Sequence, residues 1–485
     1  MLVDRYESED VFARVPELAD QTDPVLVELD HLLDDDQLYA QVRADLARRY
    51  QLTLVHGRHS TPAEVLLRLL VVQHLYAWSY AETVERVADS LVLRWFCRVY
   101  FHQVPTKATL LRWAATIRPA TLQALVDRTT VLAKQARVTR ARKLRVDSTC
   151  VQTSIHHPID SGLLDDGVRV LTRLIRRARP LVQASLASVR DAFRSRLRTS
   201  RRLVQRIHRV SRLQGAKAEV QRRALYHHLL EVTRQTMHQA QRVRTALQTR
   251  QAGATPPPSA VQRLTARLAV QFDHFLPLVE QVIHQAQRRV LDGQVVPSRE
   301  KVLSLFEPHT RVVQRGKTKV AVEFGRQVVF DEVEGGIVTR FHVLADDESE
   351  VHQALPAIQH HRTVVGRPPS LVTGDRRLHA KGLEEVAQRL GVRHVVIPWT
   401  GNLSAARWVV EQERGWRRRY RWRAGIEGRI HSLRRDYGLV RSRSRGLVGL
   451  ERDVGWGVLA SDLRHLAVAT VARSSRQLHT NQRAA

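Results

Sequence analysis

Three acidic residues stand where an acid needs a reason. Asp147 interrupts KLRVDSTCVQT, an alternating run rich in β-branched residues, and Asp is depleted in strand interiors. Asp375 ends the apolar run PPSLVTGD, and Glu427 sits in the Arg-dense run RRRYRWRAGIEGRIHSLRRDYGL. Singly, each has a structural reading. Asp147 would cap local backbone at a strand end, Asp375 would serve a turn after Gly374, and Glu427 would pair within its helix with Arg423 or His431. Together they are a chemical group. Three carboxylates converging on one spot repel one another unless cations bind between them. Two hard divalent ions about 3.5–4 Å apart meet that need. One would activate a water or a 3′-hydroxyl, and the other would steady the leaving oxygen of a phosphodiester. An all-oxygen site suits Mg²⁺ better than zinc.

Positioning such a group takes a sheet. Strand patterns begin at Lys143 and return after 301, in KVLSLFEPH, RQVVFDEVEGG and IVTRFHVLADD, with Gly335–Gly336 as a hairpin turn. A helix near 350–363 follows, then the strand ending at Asp375, a helix near 381–391, the strand VRHVVIPW, a basic helix near 408–436 and an apolar helix near 449–470. Residues 136–164 and 299–472 thus read as one mixed α/β domain, with acids at the carboxyl ends of its strands. A long helical insertion, 165–298, divides it. On a single helix, Tyr420, Arg423, Glu427 and Arg434 would share one stripe.

That stripe closely resembles the Y-(2)-R-(3)-E-(6)-K signature of DDE transposases from bacterial insertion sequences, with Arg434 where Lys is usual. Charge is kept there, but shape is not. RVDSTCVQTSIHHPIDSGLL resembles the family's first-Asp segment and VTGDRRLHAKG its second. SLFEPHTRVVQRGK and VEFGRQV resemble segments that follow the insertion in relatives. HSTPAEVLLRLLVVQHLYAWSYAETVERVADSLVLRWFCRV resembles the group's N-terminal domain. The resemblance implies a ribonuclease H-like catalytic fold in which Asp147, Asp375 and Glu427 hold two Mg²⁺ or Mn²⁺ ions. It implies that Tyr420, Arg423 and Arg434 contact DNA near the cleaved end. Hydrolysis would free a 3′-hydroxyl that attacks target DNA, and a homodimer would hold two element ends. The rival readings are an inactive DNA-binding regulator derived from a transposase and a nuclease on the same fold.

The bulk numbers agree with a double-stranded DNA partner. The 485 residues hold 78 Lys and Arg against 48 Asp and Glu, a net charge of +30. A balance so basic implies a polyanionic partner. Residues 168–250 hold 21 Lys and Arg against 3 Asp and Glu, in a helical text. Solvated helices normally mix both signs, so this run, with Arg198, Arg201 and Arg202, is expected to meet the DNA backbone. The stretch 251–260, QAGATPPPSA, reads as an exposed linker.

Residues 1–135 read as an all-helical N-terminal DNA-binding or dimerisation domain. One helix is expected from Thr61, with Thr61 as its cap and Pro62 at its first position, a second near 80–99, and a third after Pro105 capped by Thr106. Lys107, Thr109 and Arg112 would form a recognition face in a helix-turn-helix-like module. Cys97 and Cys150 give neither a disulfide framework nor a Cys-based zinc site. No apolar run reaches membrane-spanning length, and the acidic, polar start is unlike a signal peptide, so a cytoplasmic protein that joins the nucleoid when bound is expected. His156, His157, His309 and His379 are left unassigned, and Trp422 fits base stacking or core packing equally. The tail 473–485 is expected to be disordered.

Overall fold

The computed structural model describes all residues except 8–13, 16, 18–21, 50–53, 55–59, 252–259, 318, 319 and 485; at 251, 315–321 and 478–484 it describes the backbone only. The chain divides into two compact units. One combines Met1–Thr153 with Arg326–Ala485, and the other is Ser154–Gly325.

The first unit is built on a mixed sheet. Its strands are β1 (Lys143–Gln152), the later part of β3 (Val320–Val333), β4 (Ile337–Val343), β5 (Leu371–Gly374) and β6 (His394–Val396), in the order β4-β3-β1-β5-β6. β1, β5 and β6 run parallel, and β3 and β4 form an antiparallel hairpin. The hairpin turns at Gly335 and Gly336, both at positive φ (87° and 77°), which only glycine adopts without strain. One face of the sheet is filled by Leu144, Val146, Val329, Val372 and Ile358 of the helix Ala354–Val365.

The N-terminal helices share a core with the C-terminal one. Leu67, Phe96, Leu110 and Leu122 cluster with Leu450, Val454, Trp456 and Leu459 of the helix Leu447–Ala484. Residues 1–135, read from the sequence as an N-terminal helical domain, fall in the same unit as this C-terminal helix. Arg68 lies fully buried in the helix Ala63–Leu75, held by Asp30 and Asp34 at 2.6 Å each. A buried cation requires such pairing.

Several local expectations are corrected. The helix expected from Thr61 begins at Ala63, with Pro62 at the cap position and no side-chain cap. The single helix expected over 80–99 is two, Tyr80–Asp89 and Leu91–Phe96. Ser90 stays extended between them and its hydroxyl accepts from the Leu93 amide. Thr106 does cap the helix Lys107–Ala114 through the Thr109 amide. The helix Leu447–Ala484 runs on through most of the 473–485 segment expected to lack order.

The second unit is a bundle of the helices Asp160–Val182, Leu197–Val210, Ala216–Gln251 and Ala260–Ala286 around Leu164, Leu171, Leu174, Leu229, Phe272 and Val282. Its hairpin pairs β2 (Arg311–Lys317) with the start of β3. The strand expected at 301–309 is irregular. The Ser304 hydroxyl accepts from the Phe306 and Glu307 amides, and Val302 and Leu305 fill the bundle core instead. The linker expected at 251–260 falls mostly outside the described residues.

Candidate active site and basic surfaces

Parallel pairing of β1 with β5 sets Val146 opposite Gly374. The next residue in each case is an acid, Asp147 within β1 and Asp375 just past the end of β5, so the two come close together. Asp147 Oδ1 accepts from the Ser148 amide at 2.7 Å, and Asp375 Oδ1 accepts from the Arg376 amide at 2.8 Å. The Asp147 side chain is only 18% exposed. Burial pushes its carboxyl above the usual aspartate range, Arg423 opposes that rise, and Asp375 and Glu427 add to it by repulsion.

Glu427 reaches this group from the helix Ala424–Asp436 and is 62% exposed. The basic helix expected over 408–436 is in fact three, Ala405–Gln412, Arg414–Arg421 and Ala424–Asp436. Tyr420 therefore lies before a break, and the single four-residue stripe is interrupted at Trp422 and Arg423. The cause is Arg145, two residues before Asp147 on β1. Its Nη1 donates to the Trp422 carbonyl at 2.8 Å, while Nε and Nη2 donate to Glu332 on β3 at 2.8 and 2.7 Å. The guanidinium also lies 4.7 Å from the Trp422 ring centre. A side chain that inserts into a helical ladder breaks it. Gly425 makes the approach possible, because a Cβ there would collide with Arg145 Nη1. Trp422 is thus accounted for by packing.

Arg423 bridges the acids, with Nη1 3.5 Å from Asp147 Oδ2 and Nη2 2.8 Å from Glu427 Oε1. Its guanidinium lies 5.6 Å from the Tyr420 ring centre, and Tyr420 stacks on Trp416. Arg434 donates to Thr149 Oγ1 and to the Cys150 carbonyl, each at 2.9 Å, and so fastens the far end of its helix to β1. A cleft of about 630 Å³ opens beside Asp375, lined also by Arg376, Arg377, Arg417, Trp416 and Tyr420.

A fourth carboxylate joins the group. Glu350, in the short turn Glu350–His352, accepts from the Ser148 hydroxyl and from Gln327 Nε2. Burial raises its carboxyl, Arg377 and Gln327 oppose this, and Asp147 and Asp375 add to it. Sequence reasoning passes over Glu350 because it lies in the acid-rich loop DDESE, where no single acid stands out. It also passes over Arg145, although a cation inside an apolar strand is itself a signal. Among the described residues, no three His, Cys, Asp or Glu side chains are already close enough to hold a metal.

The other basic residues singled out lie outside this group. Lys107 and Arg112 are exposed on Lys107–Ala114, while the Thr109 hydroxyl is engaged with that of Thr106. Arg198, Arg201 and Arg202 are exposed on Leu197–Val210 in the other unit, opposite its buried face of Ser200, Leu203 and Ile207. No helix among the described residues is long and apolar enough to cross a membrane.

Comparison with known proteins gives limited matches. An uncharacterized protein, ORF8 in the nfe locus of Rhizobium meliloti, is 29% identical over 123 residues, 24% of this chain. The aligned stretch spans 59% of that relative's length. No solved structure matches. Residues 14–116 match the family model of a transposase domain (DUF772), so the chain carries a region of transposase type at its N-terminal end.

Proposed function

We propose that the protein is a DDE-type DNA transposase that binds the inverted ends of a mobile element as a dimer, cuts them, and joins them to target DNA. The observation that carries this reading is the placement of Asp147 and Asp375 each one residue past the paired Val146 and Gly374 of two parallel strands, with Glu427 linked to Asp147 through Arg423. The sheet order β4-β3-β1-β5-β6 supports a ribonuclease H-like catalytic unit, with Ser154–Gly325 as its insertion. The transposase-type match over 14–116 supports the class.

The donor set fits a hard divalent cation. Its atoms are carboxylate oxygens, and burial with mutual repulsion makes Asp147 costly to ionise without added positive charge. Asp147 and Asp375 would hold Mg²⁺ or Mn²⁺, and Glu427 would join them on leaving Arg423. Bound there, the ions would supply Lewis acidity at the attacking and leaving oxygens. The chain's own residues do the rest. Arg145 and Gly425 fix the glutamate-bearing helix against β1, Ser148 and Glu350 buttress Asp147, and Arg376, Arg377 and Arg417 offer cations to a phosphate in the cleft. Freed from the carboxylates, Arg423 would face the same phosphate.

The test is a Mg²⁺-dependent reaction on duplex DNA carrying the element's ends. Cleavage followed by strand joining, both lost in Asp147→Ala, is the expected result. Cleavage without joining identifies a nuclease, and binding alone, unchanged by Asp147→Ala, identifies a regulator.

A further inference from the structure

The helical unit contains a groove of about 540 Å³ whose chemistry is unlike that of a solvated helix face. Arg169, Arg173, Arg176 and Arg179 line it from the helix Asp160–Val182, at spacings that put all four on one side. Arg194 lines it from the opposite wall, and no acid is among the lining residues. Arg169 and Arg194 each have an ion-pair partner three residues away, Asp166 and Asp191. Arg173 and Arg176 are exposed and have none among the described residues. Like charges three and four residues apart oppose one another, so an unneutralised ladder works against its own helix.

The walls are aromatic. The Arg169 guanidinium lies 5.5 Å from the Phe306 ring centre, and that of Arg179 lies 5.5 Å from Phe193. Phe306 remains 42% exposed. These contacts hold the outer two arginines in fixed directions and leave the inner two free to donate. The Thr172 hydroxyl, which also lines the groove, is buried without a partner. From Arg169 to Arg179 the helix rises about 15 Å. A DNA strand carries one phosphate per about 3.4 Å of axis, so the ladder faces about four of them.

We propose that this groove binds the phosphate backbone of DNA, through Arg173 and Arg176 held between Arg169 and Arg179. The inference rests on the reading that DNA is the partner, and it assigns the basic helical unit a specific binding surface.

The experiment measures affinity of the full chain for a duplex carrying the element's ends and for an unrelated duplex of equal length, across a series of NaCl concentrations. Arg173→Ala with Arg176→Ala should weaken both complexes and reduce the logarithmic salt slope by about 2, near 0.9 for each phosphate no longer neutralised. Arg173→Lys with Arg176→Lys should keep most of the slope. Arg267→Ala with Arg299→Ala, which removes two exposed cations elsewhere in the unit, should leave it unchanged. Thermal melting checks that each variant is folded. A wild-type slope in the Arg173/Arg176 alanine variant overturns the groove while leaving the DNA reading intact. An equal loss in the Arg267/Arg299 variant overturns it as a mere effect of net charge. A wild-type chain that binds neither duplex overturns both readings.

Discussion

Arg423 stands between Asp147 and Glu427, 3.5 Å from the first carboxylate and 2.8 Å from the second. One guanidinium thus pairs with two acids, and a metal ion bound by Glu427 would compete with it for that carboxylate. Glu427→Gln should abolish cleavage of DNA ends, by on the order of a thousandfold, since a missing ligand forfeits several kcal/mol of charge stabilisation. Binding of the ends should stay within about threefold, because Glu427 contributes no positive charge to DNA. Electrophoretic mobility shift and cleavage assays on the same duplex separate the two effects. Loss of binding would mean that Glu427 serves only its ion pair with Arg423.

Asp147 makes stability depend on pH in a stated direction. Its folded carboxyl titrates above the unfolded value, so the native state binds the proton more tightly. The stabilising contribution is full below about pH 4, near the unfolded aspartate value, and is lost as pH rises through the raised folded value. Asp147→Asn keeps the acceptor for the Ser148 amide and removes that loss. In metal-free buffer at pH 8 the variant should be more stable than wild type. The gap should close at pH 4, and Mg²⁺ should raise the melting temperature of the wild type alone. Identical melting curves for the two proteins at both pH values would sink this account.

Glu350 touches the Ser148 hydroxyl beside Asp147. If it buttresses the acid pair, Glu350→Gln should slow cleavage about 10- to 100-fold, the usual cost of removing a residue that orients a ligand. The effect should show as a raised Mg²⁺ requirement, which titration of cleavage against Mg²⁺ concentration would reveal. Normal cleavage at limiting Mg²⁺ would leave Glu350 with a purely local role.

Gly425 and Arg145 set where the Glu427 helix lies. Gly425→Ala would drive a methyl into the guanidinium and should cost about 1–3 kcal/mol, read by urea denaturation. Arg145→Ala would leave buried Glu332 with only Arg429, at 3.7 Å, and should cost about 3 kcal/mol or more. Where Gly425→Ala is still folded it should cleave more slowly than wild type while binding ends normally. Full activity in that variant would show that the helix can shift without consequence.

The exposed cations are separable by their salt dependence. Neutralising Arg198, Arg201 and Arg202 together should lower the salt slope of DNA binding by about 3 if each meets a phosphate, and Lys107→Ala with Arg112→Ala by about 2. Fluorescence anisotropy against NaCl concentration reads both. If Lys107 and Arg112 read bases, their loss should also narrow the preference for element ends over unrelated DNA. An unchanged slope in either variant would remove that face from the interface.

The strands beside Asp147 and Asp375 are legible because buried strands write themselves as β-branched apolar runs, and an acid inside or just past such a run is conspicuous. The hairpin at Gly335–Gly336 is legible for the same local reason. The break before Glu427 is not. Its helical text is continuous, and the residue that breaks it, Arg145, lies more than 270 positions away on another strand. Periodicity cannot register an intrusion by a distant side chain. The segment 301–309 misleads in the opposite way. Its alternation is real, but Val302 and Leu305 serve the bundle core, and Ser304 diverts the backbone from a ladder. Likewise the N-terminal helices are readable one by one, while the core they share with Leu447–Ala484 joins residues more than 300 positions apart.

The guanidinium of Arg145 answers at once to Glu332, to the Trp422 carbonyl and to the bare α-carbon of Gly425. Those positions cannot drift separately. A larger residue at 425 crowds the guanidinium of 145, and a smaller residue at 145 leaves the acid at 332 with Arg429 alone. Related chains should therefore inherit positions 145, 332 and 425 as a set, changing all three or none, even where the surrounding sequence has diverged beyond alignment.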